Sequence, residues 1–423
     1  MATTSSSVFE GVRTRFPALR EAGDREIFFD NAAGAQVPDE VVEAMRDHLV
    51  ARNVQRGGRY GRSREVDARI EETRGLLAAF LRAESPDEIV FGLNSTSLIR
   101  MVAESFRPKL APGDRVVVTE LDHEANVGPW LRLEPSGVTP VFWKLRAPEA
   151  TLDPEDLRAL LASPGGPVRL VALPLASNTT GGIVDVAAAA RLAREAGALT
   201  FVDAVHIAPH APIDVRAHGA DFLAFSGYKI FGPHVGFLWG RADAFSRLSP
   251  AREFFTPERG PHAFEGGTQM YEGIAGMAGA IRYLSSLSGT DGVTTASIHG
   301  AMTRIRDYES DLTVAMLRGL HEIPGLRVLG VTDPARVHRR LPTFSFRIEG
   351  VPPAAVVEHL SACGIHARDG HMYAPRLVQA LGIDANTGVC RVSLCHYNTR
   401  GEIDRLVTAL RTMRPHETTA RRS

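Results

Sequence analysis

Apolar runs alternate with helix-like segments between about residues 85 and 240. The strand candidates, rich in Val, Leu, Ile and Phe, cover residues 88–93, 116–121, 139–145, 169–175, 200–205, 222–226 and 236–239. Segments between them, such as 97–106 and 186–195, show helical spacing of apolar residues. Nearly unbroken apolar strands that alternate with helices are typical of a mostly parallel sheet covered on both faces. The pattern therefore predicts a large α/β domain.

The pattern changes after about residue 285. A long helical stretch over 297–320 precedes strand candidates at 343–349 and 391–396, which predicts a smaller C-terminal α+β domain. We expect an N-terminal segment (1–29) that packs on the small domain, a large domain (30–290), a small domain (291–415) and a flexible tail (416–423). Since no low-complexity linker separates the two domains, we expect a close-packed interface.

Polar residues follow five of the predicted strands. They are 94–96, 122–124, 177–179, the pair Asp203 and His206, and the pair Ser226 and Lys229. In parallel α/β sheets, ligands bind beyond the carboxyl ends of the strands, where loops meet helix N-termini. The spacing therefore predicts one functional site at this edge.

Lysine is nearly absent from the chain. Of the 48 basic residues only Lys109, Lys144 and Lys229 are lysines. Arginine replaces lysine on solvated faces but stays charged at any usable pH, so it cannot supply a neutral amine. We interpret Lys109 and Lys144 as surface charges. Lys229 ends an apolar strand, and its position alone fits either a Schiff-base amine or an edge residue.

The neighbouring strand ends offer what a Schiff-base lysine with an electron-sink cofactor needs. A protonated pyridine nitrogen requires a buried carboxylate, and Asp203 suits that role. A phosphate requires N–H groups at a helix N-terminus, which Ser95 and Thr96 supply together with hydroxyls. His123 fits a residue that stacks on a ring or relays protons. Each residue taken alone also fits a turn, a helix cap or a structural histidine.

Composition excludes several other classes of protein. The net charge of −1, with 44% hydrophobic and 23% charged residues, is ordinary for a soluble enzyme and gives no bulk attraction to nucleic acid or membrane. Three cysteines cannot form a disulfide framework, and we find no signal peptide or membrane-spanning run. We expect a cytoplasmic protein without a metal centre.

With these residues in place, the chain resembles the class V aminotransferase-fold enzymes, specifically their cysteine desulfurase-like and selenocysteine lyase-like branch. The resemblance runs from 29–33 to 391–399, and its most specific part is 201–206 followed by 225–229. It implies the fold type I of pyridoxal 5'-phosphate enzymes, with Asp203 paired to the pyridinium and Lys229 as the Schiff-base lysine. The substrate would be an amino acid, a small molecule rather than a macromolecule.

The resemblance implies further roles by position. The cofactor phosphate would be bound by Ser95, Thr96, Ser226 and Tyr228, and by Gly267 and Thr268 of a neighbouring subunit, which implies a homodimer with shared active sites. The cofactor ring would be contacted by His123, Asn178, Val205 and His206, of which His123 would also be catalytic. Arg391 would bind the substrate carboxylate, and the other candidates for the substrate pocket are Ala33, Arg56, Arg368, His371 and Tyr373.

One position departs from the desulfurase pattern. Desulfurases of this type carry a nucleophilic cysteine in a loop that resembles 368–375, where this chain has Tyr373. A phenol cannot accept sulfur as a persulfide. We interpret Cys363, Cys390 and Cys395 as buried structural residues, which disfavours a persulfide route.

Without a persulfide route, the remaining reactions are those that need only the cofactor, Lys229 and a group that binds the substrate carboxylate. The sequence favours a C–S β-lyase that works without a persulfide cysteine, with the lysine amine as base for the α-proton. An aminotransferase, an epimerase or a specialised biosynthetic enzyme is the alternative, because the same carbanion serves all of them. A non-catalytic role in cofactor binding is the third hypothesis.

Overall fold

A seven-stranded sheet forms the centre of the protein. The computed structural model describes residues 9, 11–258 and 260–413. The strands of the central sheet are β2 (Ile89–Gly92), β3 (Arg115–Thr119), β4 (Thr139–Trp143), β5 (Val168–Pro174), β6 (Leu199–Asp203), β7 (Phe222–Ser226) and β8 (Gly236–Gly240). All seven predicted strands are confirmed, each within a few residues of its predicted limits.

The strand order is β2-β8-β7-β6-β5-β3-β4. Only β8 runs antiparallel to its neighbours, so the other strands end at one edge of the sheet. Strands β3, β6 and β7 are buried along their whole length, as expected of a sheet covered on both faces. The predicted mostly parallel α/β fold is confirmed.

A second sheet lies in the C-terminal part of the chain. It contains β9 (Leu326–Val328), β10 (Thr343–Ile348), β12 (Arg368–Gly370) and β13 (Val389–Ser393) in the antiparallel order β12-β13-β10-β9. A separate parallel pair joins β1 (Ile27–Phe28) to β11 (Ile365–His366). The N-terminal segment also contacts the C-terminal helix, since the guanidinium of Arg13 donates to Glu402 at 2.7 Å.

Helices cover the sheets and join their strands. They are α1 (Pro17–Ala22), α2 (Asp39–Ala51), α3 (Gly61–Leu81), α4 (Ser95–Phe106), α5 (Gly128–Leu131), α6 (Pro154–Ala162), α7 (Val186–Glu195), α8 (Val215–His218), α9 (Ala242–Phe245), α10 (Tyr271–Ser286), α11 (Thr295–His321), α12 (Pro353–Ala362), α13 (Pro375–Ala380) and α14 (Arg400–Arg411). No helix among the described residues is both long and apolar enough to cross a membrane. The predicted tail at 416–423 lies outside the described residues.

Local sequence explains where the helix nearest the strand ends begins. The Asn94 side chain caps α4 by accepting a hydrogen bond from the Ser97 N–H at 2.9 Å, and the Ser97 hydroxyl accepts one from the Asn94 N–H at 3.3 Å. This reciprocal capping box fixes the first turn. Leu98 and Val102, one turn apart, are buried under the sheet. The N-terminus of α4 is thereby held at the carboxyl edge, where the N–H groups of its first turn favour an anion.

Candidate active site

A cavity of about 260 Å³ opens at the carboxyl edge of the central sheet, against the second sheet. Thirteen of the residues predicted for the site line it: Ala33, Ser95, Thr96, His123, Asn178, Asp203, Val205, His206, Tyr228, Lys229, Arg368, Tyr373 and Arg391. The fold thus brings together residues that are up to 358 positions apart in the chain, from Ala33 to Arg391.

The Lys229 amine points into this cavity from the end of β7. Its Nζ donates to the carbonyl oxygens of Ala32 at 2.5 Å and Ala33 at 2.9 Å, and it lies 5.0 Å from the centre of the Tyr228 ring. Burial, with the nearby charge of Arg391, lowers the pKa of Lys229 to about 7. The amine is therefore available as a nucleophile or base near neutral pH. Lys109 and Lys144 are exposed, as predicted.

Asp203 is a buried carboxylate at the end of β6. One oxygen accepts the Val205 N–H at 2.8 Å. Burial raises the pKa of Asp203 to about 6, although this hydrogen bond and the charge of Lys229 oppose the shift. A cationic partner in the cavity would offset the cost of burying this charge.

A second carboxylate, Asp122, also lines the cavity and was not assigned a role from the sequence. It accepts the His123 N–H at 2.8 Å and the Asn126 amide at 2.6 Å. Burial and the neighbouring Asp203 raise its pKa well above the ordinary value. A charged Asp203 therefore favours the neutral form of Asp122. The only indication of Asp122 in the sequence was its position in the polar cluster 122–124, which follows a predicted strand.

His123 is held as a neutral imidazole. Its Nδ1 accepts the Ala125 N–H at 3.0 Å, so the proton of the neutral ring lies on Nε2. Burial, followed by the charges of Lys229 and Arg391, lowers the pKa of His123 to about 4. The ring can therefore donate a hydrogen bond or relay a proton without carrying charge.

The N-terminus of α4 provides hydroxyls beside backbone donors. The Ser226 hydroxyl accepts the Ser95 N–H at 3.0 Å and donates to the Ser95 hydroxyl at 3.0 Å. Ser226 lies directly behind Ser95 and is not part of the cavity wall. Thr96 and Tyr228 line the same wall. Hydroxyls at a helix N-terminus suit a phosphate group.

Two arginines meet at the opposite wall and share one carboxylate. Arg368 donates to both oxygens of Asp30, at 2.7 and 3.2 Å, and Arg391 Nη2 lies 3.3 Å from Asp30. Arg391 also donates through Nη1 to the carbonyl oxygen of Asn178 at 3.0 Å. With two guanidinium groups and one acid, this wall keeps a net positive charge. A substrate carboxylate would neutralise it.

The loop over the cavity mouth is strained. Met372 and Tyr373 both have positive φ values, 52° and 57°, although neither is a glycine. Such backbone costs about 1–3 kcal/mol per residue and is found at sites whose surroundings enforce it. The ring of Tyr373 lies 5.5 Å from that of His123. His371 accepts the Tyr373 N–H through Nδ1 at 3.1 Å, so it holds Tyr373 and does not line the cavity itself.

Three further predicted residues lie away from the cavity of the single chain described. Arg56 is paired with Asp67 at 2.9 Å and Glu71 at 3.5 Å. Gly267 and Thr268 follow a buried ion pair between Glu265 and Arg74, and Thr268 lines a separate groove. Their contacts with substrate or with a neighbouring phosphate stay predictions.

The prediction that Cys363 is buried is wrong. The residue is exposed at the end of α12, because that helix turns Val356 and Leu360 inward and leaves 361–363 outward. Cys390 and Cys395 are buried, as predicted. None of the three lines the cavity.

Unpartnered buried atoms test whether the cavity suits pyridoxal 5'-phosphate. His206 Nε2, Asn178 Oδ1 and Arg391 Nε are buried, and each lacks a hydrogen-bond partner among the described residues. Such orphans are rare in folded proteins and mark a missing partner. The buried acid Asp203, the Lys229 amine, and the α4 N-terminus with its hydroxyls match the ring nitrogen, the aldehyde and the phosphate of that cofactor. The residues fit the group.

Comparisons with known proteins identify the family of the chain. The aminotransferase class-V family model matches residues 27–406. The aminotransferase-like protein FGM3 of Gibberella zeae is 36% identical over 96% of this chain and 99% of the relative. The cysteine desulfurase CsdA of Escherichia coli is 32% identical over 94% of this chain and 96% of the relative.

Among solved structures, the apo cysteine desulfurase from Thermococcus onnurineus NA1 superposes with a TM-score of 0.85 at 28% identity, over 95% of this chain and 97% of that one. The resemblance seen in the sequence is therefore confirmed along nearly the whole chain. The chain belongs to the class V aminotransferase family of pyridoxal phosphate-dependent enzymes and has the fold of its cysteine desulfurase members.

Proposed function

We propose that the protein is a C–S β-lyase, which removes a thiol from the β-carbon of an amino acid without a persulfide cysteine. The observation that carries this proposal is the composition of the cavity wall. Lys229 and Arg391 stand in one cavity, Tyr373 stands at its mouth, and none of its described lining residues is a cysteine. The net reaction is RS–CH₂–CH(NH₂)–COOH + H₂O → RSH + pyruvate + NH₃.

Pyridoxal phosphate, when bound, supplies an aldehyde for amines and a ring that stabilises negative charge at Cα. Ser95, Thr96 and Tyr228 would hold its phosphate, Ser226 would support Ser95 from behind, and Asp203 would hold its ring nitrogen. His123 and Val205 would lie against the ring, and Asn178 and His206 would contact its edge. These assignments rest on the cavity wall described above.

Arg391 is proposed to orient the substrate. Its buried guanidinium has an unpartnered Nε, so it can donate a charge-assisted hydrogen bond to a substrate carboxylate. Arg368, which shares Asp30 with Arg391, supplies a second positive charge. Ala33 contributes its carbonyl oxygen to the same wall, where it holds the Lys229 amine.

Lys229 is proposed as the base for the α-proton. An amine with a pKa of about 7 is divided between its neutral and charged forms at neutral pH, which is the condition for efficient proton transfer. Its hydrogen bonds to Ala32 and Ala33 hold it at one wall of the cavity. The departing thiolate needs a proton, and the hydroxyl of Tyr373 is the proposed donor.

Transamination is the second candidate, because the relative at 36% identity is named an aminotransferase-like protein. It would use the same carboxylate clamp and the same lysine but would return the amino group to a keto acid. The two candidates differ in product, since only elimination releases ammonia and pyruvate from an S-substituted cysteine.

The test is to incubate the purified protein with a panel of S-substituted cysteines and measure pyruvate and thiol together. We expect both products in equal amounts. Lys229→Ala should lower turnover at least about 10³-fold, whereas Lys109→Ala and Lys144→Ala are matched controls at exposed positions. Keto-acid-dependent amino transfer without thiol release would favour the second candidate. An unchanged cofactor spectrum with every amino acid would favour a non-catalytic role.

We further propose a homodimer in the cytoplasm. The groove that Thr268 lines also contains Gln269, whose side-chain amide is buried without a described partner, and Leu93 and Met270 beside it are exposed. A second copy of the chain that covers this groove would give the Gln269 amide a hydrogen-bond partner and would bury Leu93 and Met270. All three cysteines are free, which suits a reducing compartment.

A further inference from the structure

Glu309 is a carboxylate buried in the middle of α11. It is 1% exposed, and its Oε2 lies 2.8 Å from His210 Nδ1. Its other oxygen, Oε1, is buried without a partner among the described residues. Burying an isolated ionised carboxylate costs several kcal/mol, and burial raises the pKa of Glu309 although His210 opposes the shift. The hydrogen bond with His210 therefore offsets part of the cost of keeping the Glu309 carboxylate charged.

His210 connects this pair to the cavity. His206 and His210 lie on one turn, which is closed by hydrogen bonds from the Ala208 N–H to the Ala204 carbonyl (3.1 Å) and from the His210 N–H to the Ile207 carbonyl (2.9 Å). The His206 and His210 rings meet edge to face with their centres 5.7 Å apart. His206 lines the cavity, and its Nε2 has no described partner.

His206 stays neutral in these surroundings. Burial lowers its pKa well below the ordinary value, and the charges of His210, Arg391 and Lys229 lower it further. A neutral imidazole has one N–H and one lone pair, so the tautomer decides whether His206 donates to the cavity or accepts from it. A carboxylate behind a histidine is a common means of fixing tautomer and ring orientation.

We propose that His206, His210 and Glu309 form a buried triad in which the Glu309–His210 pair positions His206, fixes its tautomer and keeps an exchangeable proton behind the cofactor cavity. His210 and Glu309 are positioning residues, since neither lines the cavity. The inference rests on the proposed place of His206 at the cofactor. It does not depend on which reaction the enzyme catalyses.

Other titratable groups surround the triad. Lys229, Arg391 and Asp203 lie on the cavity side. Cys395 and His396 lie on the side of the second sheet, where the backbone of His396 opposes the rise in the pKa of Glu309 and the charge of Arg15 contributes to lowering the pKa of His396. Burial raises the pKa of the Cys395 thiol and lowers that of His396 to about 3, so both are neutral. Removal of the Glu309 carboxylate should therefore change the electrostatic environment of the other two residues of the triad.

A bound metal ion is the competing explanation. One ligand atom each from His210, Glu309 and Cys395 lie within 4.8 Å of one another. The hydrogen bond between His210 and Glu309, however, already occupies two of those atoms, and a protonated thiol is a poor ligand. A shared proton therefore accounts for the geometry better than an ion does.

The test compares Glu309→Gln with the wild-type holoenzyme, and His299→Asn serves as the control. His299 is also buried, and its Nε2–H donates to the Phe80 carbonyl oxygen at 3.0 Å, away from the cavity lining. We expect Glu309→Gln to move the pH midpoint of the cofactor absorbance, measured without any amino acid, to lower pH by about one unit. The reason is that removal of a buried negative charge disfavours protonation nearby. His299→Asn should lower only the thermal unfolding temperature.

A second measurement uses the cofactor-free protein with ¹⁵N-labelled histidine. His206→Gln assigns the His206 signals, and we expect one neutral tautomer between about pH 6 and pH 9, which Glu309→Gln converts to a mixture. Comparable amounts of two tautomers in the wild type would overturn the proposal even if the variant failed to fold. The proposal would also be overturned if Glu309→Gln lowered the stability of the protein but left the pH midpoint of the cofactor absorbance unchanged. It would be overturned as well if the wild type contained one metal ion per chain and Glu309→Gln lost it. Failure of the lyase proposal would leave these readouts unchanged.

Discussion

Asn178 Nδ2 donates to the carbonyl oxygen of Met372 at 2.7 Å, which joins a strand end of the central sheet to the loop over the cavity mouth. The same loop is held by the Glu124 N–H, which donates to the Tyr373 carbonyl at 2.8 Å, and by an ion pair between Arg376 and Glu124. These contacts stabilise a backbone that would otherwise relax from its positive φ values.

Asn178→Ala should therefore loosen the loop and displace Tyr373. Loss of one hydrogen bond to a strained segment is worth about 1 kcal/mol, and we expect kcat/KM to fall about fivefold with little change in the unfolding temperature. Asn386→Ala is the control, because Asn386 is exposed and bonds only to Asp384. A kcat/KM that stays within about twofold of wild type would show that the loop keeps its place without Asn178.

Tyr373→Phe tests the proposed proton donor. The variant keeps the ring against His123 but removes the hydroxyl, so elimination should slow most for substrates whose leaving thiolate is most basic. We expect about a 10²-fold lower kcat for alkyl thiolates and almost no effect for an easily expelled leaving group such as chloride. Tyr60→Phe, at an exposed position outside the cavity lining, is the control. If kcat fell equally for all leaving groups, Tyr373 would contribute only packing and would not be the proton donor.

Subunit mixing tests whether active sites are shared. Thr268→Glu would place a carboxylate where the neighbouring phosphate is proposed to bind, and Lys229→Ala would remove the amine, so each variant alone should be inactive. After subunit exchange, half of the dimers are mixed and each contains one intact site, so about one quarter of the activity should return. A mixture of Lys229→Ala with the double variant is the control and should stay inactive. A monomer in solution, or a mixture without recovery, would contradict the shared site.

The sequence predicted the sheet and most of the cavity wall because both follow from local patterns. Apolar runs mark buried strands, and the residue after each run must lie at the carboxyl edge. Asp203 and Lys229 could therefore be placed before any contact was known. Cys363 was misplaced because a short helix C-terminus gives little information about which side faces the core.

Other features of the site depend on long-range contacts that no local pattern contains. Asp30 follows β1, and its pairing with Arg368 and Arg391 exists only because β1 and β11 are adjacent. The proximity of Asp122 to Asp203, and the positive φ values of Met372 and Tyr373, likewise come from how separate loops meet. Such contacts set charge and strain, which the residue types alone do not reveal.

The lowered pKa of Lys229 predicts an unusual pH dependence of stability in the cofactor-free protein. Its pKa falls from an ordinary 10.5 to about 7 on folding, so between these values the unfolded chain holds more protons on this residue. Stability should therefore rise with pH across this window. Lys229→Met, which cannot ionise, should be more stable than wild type near neutral pH by roughly 1–3 kcal/mol.

This difference should shrink as the pH approaches 10.5, because the wild-type lysine is then neutral in both states. The measurement is urea unfolding of both cofactor-free proteins at several pH values within the window. Lys109→Met is the control: Lys109 is exposed, so its replacement should give no pH-dependent difference. A constant gap between Lys229→Met and wild type would mean that Lys229 keeps its proton in the folded cavity, and the amine would then need another group to deprotonate it before it could act as a base.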